Sequence, residues 1–371
     1  MKFFILTHNE IFLQGYMKNF SYKSFFGKNL MIWHKNDNHR LMPWKEEKDP
    51  YKIWLSEIIL QQTRVEQGLA YYYTFIKHYP TIEKLAKADE NSVFKHWEGL
   101  GYYSRCRNLI ATARFISFEL NGVFPKKYND LITLKGIGPY TASAIASFAY
   151  NLPFAVVDGN VYRILARFFG NHTPIDSLVG KKQFANLAYS LLNKTKSAVY
   201  NQAIMDFGAT VCKPQLPLCG SCILNTACKA FKENSVALLP IKEKKLIKTK
   251  RFFFIVIASF ENAVYVRQRI EKDIWQNLWE FISIEHNNDE TVVDFVKTTN
   301  FRKRIGSKFI LKSISPIYKQ QLTHQTIEAN FIHISLSASL PSKDYSPVSQ
   351  KKINTLAFPR LITSYFEKNK K

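Results

Sequence analysis

The sequence predicts a multidomain chain, with an all-α unit through about residue 236, a basic linker, and a smaller α+β domain. Three observations predict it. At 371 residues the chain is long for one compact domain and comfortable for two. Over residues 32–236 apolar residues recur at helical spacing, interrupted by short polar breaks. After residues 240–251, which are basic and carry no sustained apolar pattern, the apolar runs become short and strand-like.

The elements follow in order. Asp49-Pro50 is a helix start, because the aspartate can cap free amides and proline fits the first turn. The helix it opens carries Tyr51, Trp54, Leu55, Ile58 and Ile59 at i, i+3, i+4, i+7 and i+8, an apolar face. Further helices are expected over 82–97, 103–121, 140–150, 161–169 and 180–193. Beyond the linker, residues 252–260 and 264–267 flank Glu261-Asn262-Ala263 as a β-hairpin, and 309–314 and 331–336 are further strands. No internal repeat of solenoid period is present.

Composition bounds the partners. Fifty-two Lys+Arg against 29 Asp+Glu give a net charge of +23, which suits a polyanion held through phosphate contacts. An AT-biased genome, rich in Lys, Asn, Ile and Phe codons, produces the same excess, so charge alone decides little. No apolar run reaches the roughly 20 residues needed to span a bilayer, and no membrane association is expected. Met1-Lys2-Phe3-Phe4-Ile5-Leu6 begins like a signal peptide, but Thr7-His8-Asn9-Glu10 breaks it at once. Met17 and Met31 are alternative starts, so residues 1–27 are read as an N-terminal extension. Four of the five cysteines fall between residues 212 and 228, a spacing that in an intracellular protein points to metal rather than disulfides. The expected compartment is the cytoplasm, at the nucleoid where the polyanion is DNA, and the expected state is a monomer.

Those cysteines read Cys212-x6-Cys219-x2-Cys222-x5-Cys228. Four thiolates on one short loop can converge on an iron–sulfur cluster. Zinc also accepts four cysteines, but its sites more often pair two CxxC knuckles, and one is present here. Lys213 and Lys229 beside the loop suit a nearby phosphate. Cys106 stands alone in a helix and is read as packing.

Upstream, Leu134-Lys135-Gly136-Ile137-Gly138-Pro139-Tyr140 lies between two apolar helical stretches. Gly136 and Gly138 permit a tight turn and leave amides free at the start of the next helix, where a phosphate can bind. Eighteen residues past Tyr140 stands Asp158, followed by Gly159 and Asn160 and then Val161, Ile164, Leu165 and Phe168 on one helical face. Asp158 reads equally as a helix cap or as a carboxylate facing substrate. On the helix opened by Pro50, Glu57 sits at the edge of the apolar face, with Gln61 and Arg64 at i+4 and i+7 on its stripe and Gln62 just beyond. A solvated glutamate is the ordinary case for such a position. In Gly99-Leu100-Gly101-Tyr102-Tyr103 the tyrosines by themselves read as core aromatics.

Taken together these motifs resemble the helix–hairpin–helix, endonuclease III superfamily of DNA glycosylases, and within it the MutY-type adenine DNA glycosylases. The cysteine spacing is similar to that superfamily's [4Fe–4S] loop, which implies one such cluster, structural and DNA-positioning. Residues 54–63 resemble the adenine enzymes' catalytic helix. The resemblance implies Glu57 as proton donor, Asp158 as the anion beside the sugar, and Tyr140 and Asn160 as groups assisting near them. It implies Gln61, Gln62, Arg64, Leu100, Tyr102, Gly136 and Gly138 as DNA-contacting residues, with Gln62, Leu100 and Tyr102 wedging into the stack. The implied reaction is hydrolysis of adenine from A:8-oxoguanine or A:G pairs in duplex DNA. Breaking the C1′–N9 bond calls for one carboxyl that keeps its proton and one that stays ionised.

The distal domain resembles the Nudix-like lesion-reading domain of these enzymes, especially over residues 275–281, without the box needed for pyrophosphate hydrolysis. Where the family has Phe-Ser-His, this chain has Leu322-Thr323-His324, so Thr323 and His324 keep the hydroxyl and imidazole and the aromatic is lost. The implied fold is an all-α helix–hairpin–helix glycosylase domain over residues 28–236 with the cluster loop at 212–228, a basic linker over 237–251, and a Nudix-like α+β domain over 252–371. An endonuclease III-like glycosylase/AP lyase is the alternative, but that branch carries a lysine where Tyr140 stands. A non-catalytic DNA-binding iron–sulfur protein is a third reading, in which Glu57 and Asp158 would be dispensable.

Overall fold

The computed structural model describes residues 8–244, 247–287 and 291–369, with residues 8–21 as backbone alone. The signal-like start Met1-Lys2-Phe3-Phe4-Ile5-Leu6 lies outside the described residues. In chain order come α1 (His8–Asn36), α2 (Pro50–Leu60), α3 (Val65–His78), α4 (Ile82–Ala86), α5 (Glu90–Trp97), α6 (Tyr103–Glu119), α7 (Tyr128–Leu131), α8 (Pro139–Tyr150), α9 (Gly159–Phe169), α10 (Leu178–Leu191), α11 (Ser197–Thr210) and α12 (Lys229–Lys232). There follow β1 (Thr249–Phe260), β2 (Ala263–Gln268), β3 (Trp279–Glu280), β4 (Ile282–His286), α13 (Val292–Phe295), α14 (Thr299–Ile305), β5 (Phe309–Ile314), β6 (Tyr318–Gln321), β7 (Gln325–Leu336), β8 (Ser346–Ser349), α15 (Gln350–Ile353) and α16 (Arg360–Asn369). Among the described residues no helix is long and apolar enough to cross a membrane.

Two compact units share these elements. One runs to Gln61 and resumes over Val123–Lys245; the other takes Gln62–Gly122 together with the chain from Leu246 on.

In the first unit α2 starts as expected, with the Asp49 side chain accepting from the Tyr51 amide at 2.9 Å and Pro50 in the first turn. Its burial is not one-sided. Ile53, Ser56 and Glu57 are buried along with the expected face, because α8 packs against the same helix. Asp158 caps α9, whose Val161, Ile164, Leu165 and Phe168 are buried against α11, and Gly170 ends it in the left-handed region at φ 61°. The backbone of α1 runs through residue 27 without a break, and Phe26 and Leu30 are fully buried, the former 4.9 Å from the Phe168 ring. The boundary expected at residue 27 therefore falls inside a helix that contributes to the core. α11 was not among the expected helices. Its buried Ser197, Asn201 and Asp206 interrupt the apolar spacing. Asp206 is itself a tie: it accepts from Arg40 at 2.9 Å, Asn38 at 2.9 Å and Gln202 at 3.0 Å.

In the second unit the helix expected over 82–97 is two helices, because Asp89 accepts from the Ser92 amide at 2.9 Å and starts α5. The sheet is mixed, ordered β3-β2-β1-β7-β5, with β4, β6 and β8 added along β1, β7 and β2. β1 and β2 form the expected hairpin, pairing Phe260 with Ala263. β1 and β7 pair in parallel from Thr249↔Gln325 to Ser259↔Ser335, so both strands begin earlier than their apolar runs. One face buries Phe254, Val256, Ile332 and Ile334 under Phe295 of α13 and Phe301 of α14. On α16, Tyr365 stacks on Phe331 at 3.9 Å. Leu322, Thr323 and His324 form the turn between β6 and β7.

Candidate active site

Four of the expected site residues meet in the first unit. Glu57 is 8 % exposed on α2. Burial pushes its carboxyl up to about 7; the hydrogen bond with the Tyr140 side chain pulls the other way, and the charge of Asp158 adds to the rise. The solvated-face reading of Glu57 therefore fails. Tyr140, in the first turn of α8, is pushed well above the ordinary phenol range by burial and by the two carboxylates, so its hydroxyl keeps its proton and can donate.

Asp158 is the helix cap the sequence allowed, and its second carboxylate oxygen is held as well. Its Oδ1 accepts from the Val161 amide at 2.8 Å, the helix cap, while Oδ2 accepts from the Asn160 Nδ2 at 2.6 Å. Burial raises its pKa, and these donors, with Arg163 nearby, work against that rise. The arrangement thus holds one carboxyl near half-protonation at neutral pH and wraps the other in hydrogen bonds that favour its charge.

Two residues that sequence reasoning missed support the site. Arg163, 7 % exposed, donates to Asn160 Oδ1 at 2.8 Å, to the Gly208 carbonyl at 2.7 Å and to the Cys212 carbonyl at 2.8 Å. Arg167, 3 % exposed, donates to the carbonyls of Lys213 at 2.8 Å, Pro214 at 3.2 Å and Leu239 at 3.1 Å, with Cys212 Sγ at 3.5 Å. Two arginines at i and i+4 on a helix otherwise buried on that face were the available signal, since a buried arginine must find acceptors.

Cys212, Cys219, Cys222 and Cys228 line one cavity with Arg167, Leu218, Phe231 and Val236. Burial raises the thiols of Cys219 and Cys228, and takes Cys222 to about 11; the neighbouring cysteines add to each. Left bare, these sulfurs keep their protons, whereas cations among them would reverse the sign. Among the described residues no three of His, Cys, Asp and Glu gather closely enough to share one metal ion. Cys106 is fully buried, and its thiol is pushed well above the ordinary value by burial, as packing requires.

The hairpin anchors through Leu134 and Ile137, 6 % and 4 % exposed, and presents Lys135, Gly136 and Gly138 outward. Gly136 is at φ 77°, which a side chain would disfavour. Gly138 caps α8 without a side chain, and the space a Cβ would take there is open, as close approach of a phosphate needs.

The remaining positions separate. Gln61 ends α2 and donates to Thr141 Oγ1 at 3.3 Å. Arg64 is not on the Glu57 stripe: α2 stops at Leu60, Gln62 turns left-handed at φ 54°, and Arg64 instead precedes α3, exposed. In the second unit Leu100 is 5 % exposed, packed beneath its turn, whereas Tyr102 is 39 % exposed and left-handed at φ 49°. Tyr103 is buried, its hydroxyl accepting from the Gly99 amide at 3.2 Å, the core role. Tyr102 and Thr323 are hydrogen bonded through their hydroxyls. His324 is exposed, and its carbonyl accepts from the Thr249 amide at 3.0 Å.

Comparison with known proteins bears on the whole. Residues 55–185 match the HhH-GPD superfamily of base excision DNA repair proteins, and residues 253–368 match the NUDIX domain. The chain is 34 % identical over 317 residues to the adenine DNA glycosylase of Buchnera aphidicola subsp. Baizongia pistaciae, covering 84 % of this chain and 86 % of that protein. It is 38 % identical over 214 residues to the human adenine DNA glycosylase, covering 55 % of this chain and 39 % of that one. A thermostable thymine-DNA glycosylase of known structure superposes with a TM-score of 0.54 at 26 % identity, over 58 % of this chain and 99 % of that one. The fold class expected from the sequence is the one found: a helix–hairpin–helix glycosylase domain with a C-terminal Nudix-like domain carrying a mixed sheet.

Proposed function

We propose, from the premise that this chain belongs to the adenine DNA glycosylase family, that it hydrolyses the N-glycosidic bond of adenine paired with 8-oxoguanine or guanine and leaves the strand unbroken. It is a base-excision repair enzyme that removes adenine from DNA. The observation that carries the hydrolysis is the buried Glu57, its carboxyl pushed up to about 7 and hydrogen bonded with Tyr140, within the field of the hydrogen-bonded Asp158.

The adenine must first leave the stack, at a cost of a few kcal/mol. Glu57 then gives its proton to N7, which turns adenine into a leaving group. The C1′–N9 bond breaks with its electron pair going to the base, and positive charge develops on the sugar. Asp158 meets that charge, and Asn160 and the Val161 amide hold it where it does so. Water adds to C1′ and loses a proton, giving free adenine and an abasic site. A β-lyase would need an amine nucleophile, and Tyr140 stands where that superfamily's lysine would be.

Cys212, Cys219, Cys222 and Cys228 would hold one [4Fe–4S] cluster. Each thiolate of such a cluster binds a different iron, so the four need not crowd one point, and the cavity they line fits this donor set. When bound, such a cluster would close residues 212–228 into one fixed loop, a structural role separate from the carboxylates that act on the glycosidic bond. Thr323 and His324, in the β6–β7 turn, are the groups offered to the oxidised guanine.

The test is strand integrity. A labelled duplex with one adenine opposite 8-oxoguanine should break only after heating in alkali. Nicking without alkali, or nicking of a thymine glycol duplex, would instead establish the lyase.

A further inference from the structure

We propose that Arg105 is the positioning residue of the wedge, holding Tyr102 and the Gln62-Thr63 segment in one arrangement before duplex arrives; this rests on reading the chain as a base-flipping glycosylase. Arg105 lies in the first turn of α6 and is 8 % exposed. Its guanidinium carbon stands 5.3 Å from the Trp97 ring centroid and 5.3 Å from that of Tyr102. At these separations a desolvated guanidinium attracts both ring faces. From the same group, Nη2 donates to the Gly101 carbonyl at 3.3 Å and to Thr63 Oγ1 at 3.3 Å. The Trp97 indole donates to that Gly101 carbonyl as well, at 3.0 Å.

One cation therefore touches two segments 40 residues apart in the chain. Both are turned against ordinary preference: Gln62 at φ 54° and Tyr102 at φ 49° are non-glycine residues in the left-handed region. Such conformations cost energy and persist only where their surroundings over-determine them. Arg105 is the group that the two turns share. Burial lowers its pKa to about 10, which leaves it cationic at neutral pH. The hydroxyl bond from Tyr102 to Thr323 carries the arrangement on to the β6–β7 turn. A lysine offers no planar fork and cannot face two rings while bonding two acceptors, so the position requires arginine.

A merely structural arginine and a positioning one differ in whether their effect passes through Tyr102. The experiment compares wild type, R105K, R105Q, Y102A and R105K/Y102A on a duplex with adenine opposite 8-oxoguanine. A 2-aminopurine beside the adenine reports unstacking, and single-turnover excision is read from the same samples. We expect R105K to lower unstacking and excision about tenfold, as for one desolvated cation–π contact with its hydrogen bonds. In the Y102A background R105K should cost clearly less than in wild type, because one of the two segments it positions is gone and only the tie to Thr63 remains. Additive losses, or R105K with wild-type unstacking, would overturn the proposal. R105Q should be weaker than R105K; if it does not fold, the lysine cycle alone decides. Wild type that unstacks the duplex without releasing adenine would sink the glycosylase reading, and the unstacking cycle would still decide the role of Arg105.

Discussion

Arg163 donates to Asn160 Oδ1 at 2.8 Å, and Asn160 in turn donates to Asp158 at 2.6 Å. The same guanidinium holds the carbonyl of Cys212, the first cysteine of the 212–228 loop. The carboxylate proposed to face the sugar and the loop proposed to carry the cluster are thus tied by one buried side chain. R163M removes the donors of four acceptors, Asn160 Oδ1 and the carbonyls of Gly159, Gly208 and Cys212, each costing about 1–3 kcal/mol if left buried and unpaired. We expect a lower melting temperature together with slower single-turnover excision. Excision at the wild-type rate would show that Asp158 does not depend on this tie.

Gly208 packs on the other side of the same group. A Cβ there would lie 2.6 Å from the Asn160 Cβ and 3.2 Å from its Cα, contacts that only a shift of α9 or α11 can relieve. G208A should therefore slow excision by about a hundredfold, the effect of roughly an ångström of misplacement at a reacting centre, with duplex affinity changed far less. Equal losses in rate and affinity would place the damage elsewhere.

The Glu57 pKa of about 7 fixes a pH dependence. The acid is needed protonated, so the excision rate should fall about tenfold per unit above pH 7, and on the acid side it should fall again where Asp158, whose pKa burial raises, takes up a proton. The stability contribution has the same sign. The folded pKa lies above the ordinary 4.5, so stability from this group is complete below about pH 4.5 and lost as pH rises through 7. A rate that rises between pH 6 and 8 would contradict protonated Glu57.

Substituting one ligand tests the loop. C222S should lower bound iron per protein and destabilise the fold, because closure of the 212–228 loop by metal is part of its folding energy. Unchanged iron content would remove Cys222 from the ligand set.

Much of this was legible in the sequence because local chemistry decided it. Asp49-Pro50 opens α2, Asp158 opens α9, and the hairpin turn needs a glycine at Gly136. What escaped was set by tertiary contacts. α11 carries Asn201 and Asp206 into the core, and polar residues there read as solvent-facing until their partners are known. The end of α2 at Leu60 has no breaker to mark it, so Arg64 was placed on a helical stripe that does not exist. Arg163 and Arg167 are buried cations that reach main-chain carbonyls far away in the chain, Arg105 reaches the distant Thr63 hydroxyl, and no spacing rule announces them.

The most direct measurement is release of free adenine from an A:8-oxoguanine duplex by wild type and by E57Q, with duplex binding measured on the same samples. The account predicts that wild type releases adenine, while E57Q binds within a few-fold as tightly and is slower by about 10²–10⁴, the contribution of a positioned general acid. E57Q that still releases adenine at the wild-type rate would contradict it, and so would an E57Q that no longer binds, since Glu57 would then be a structural group.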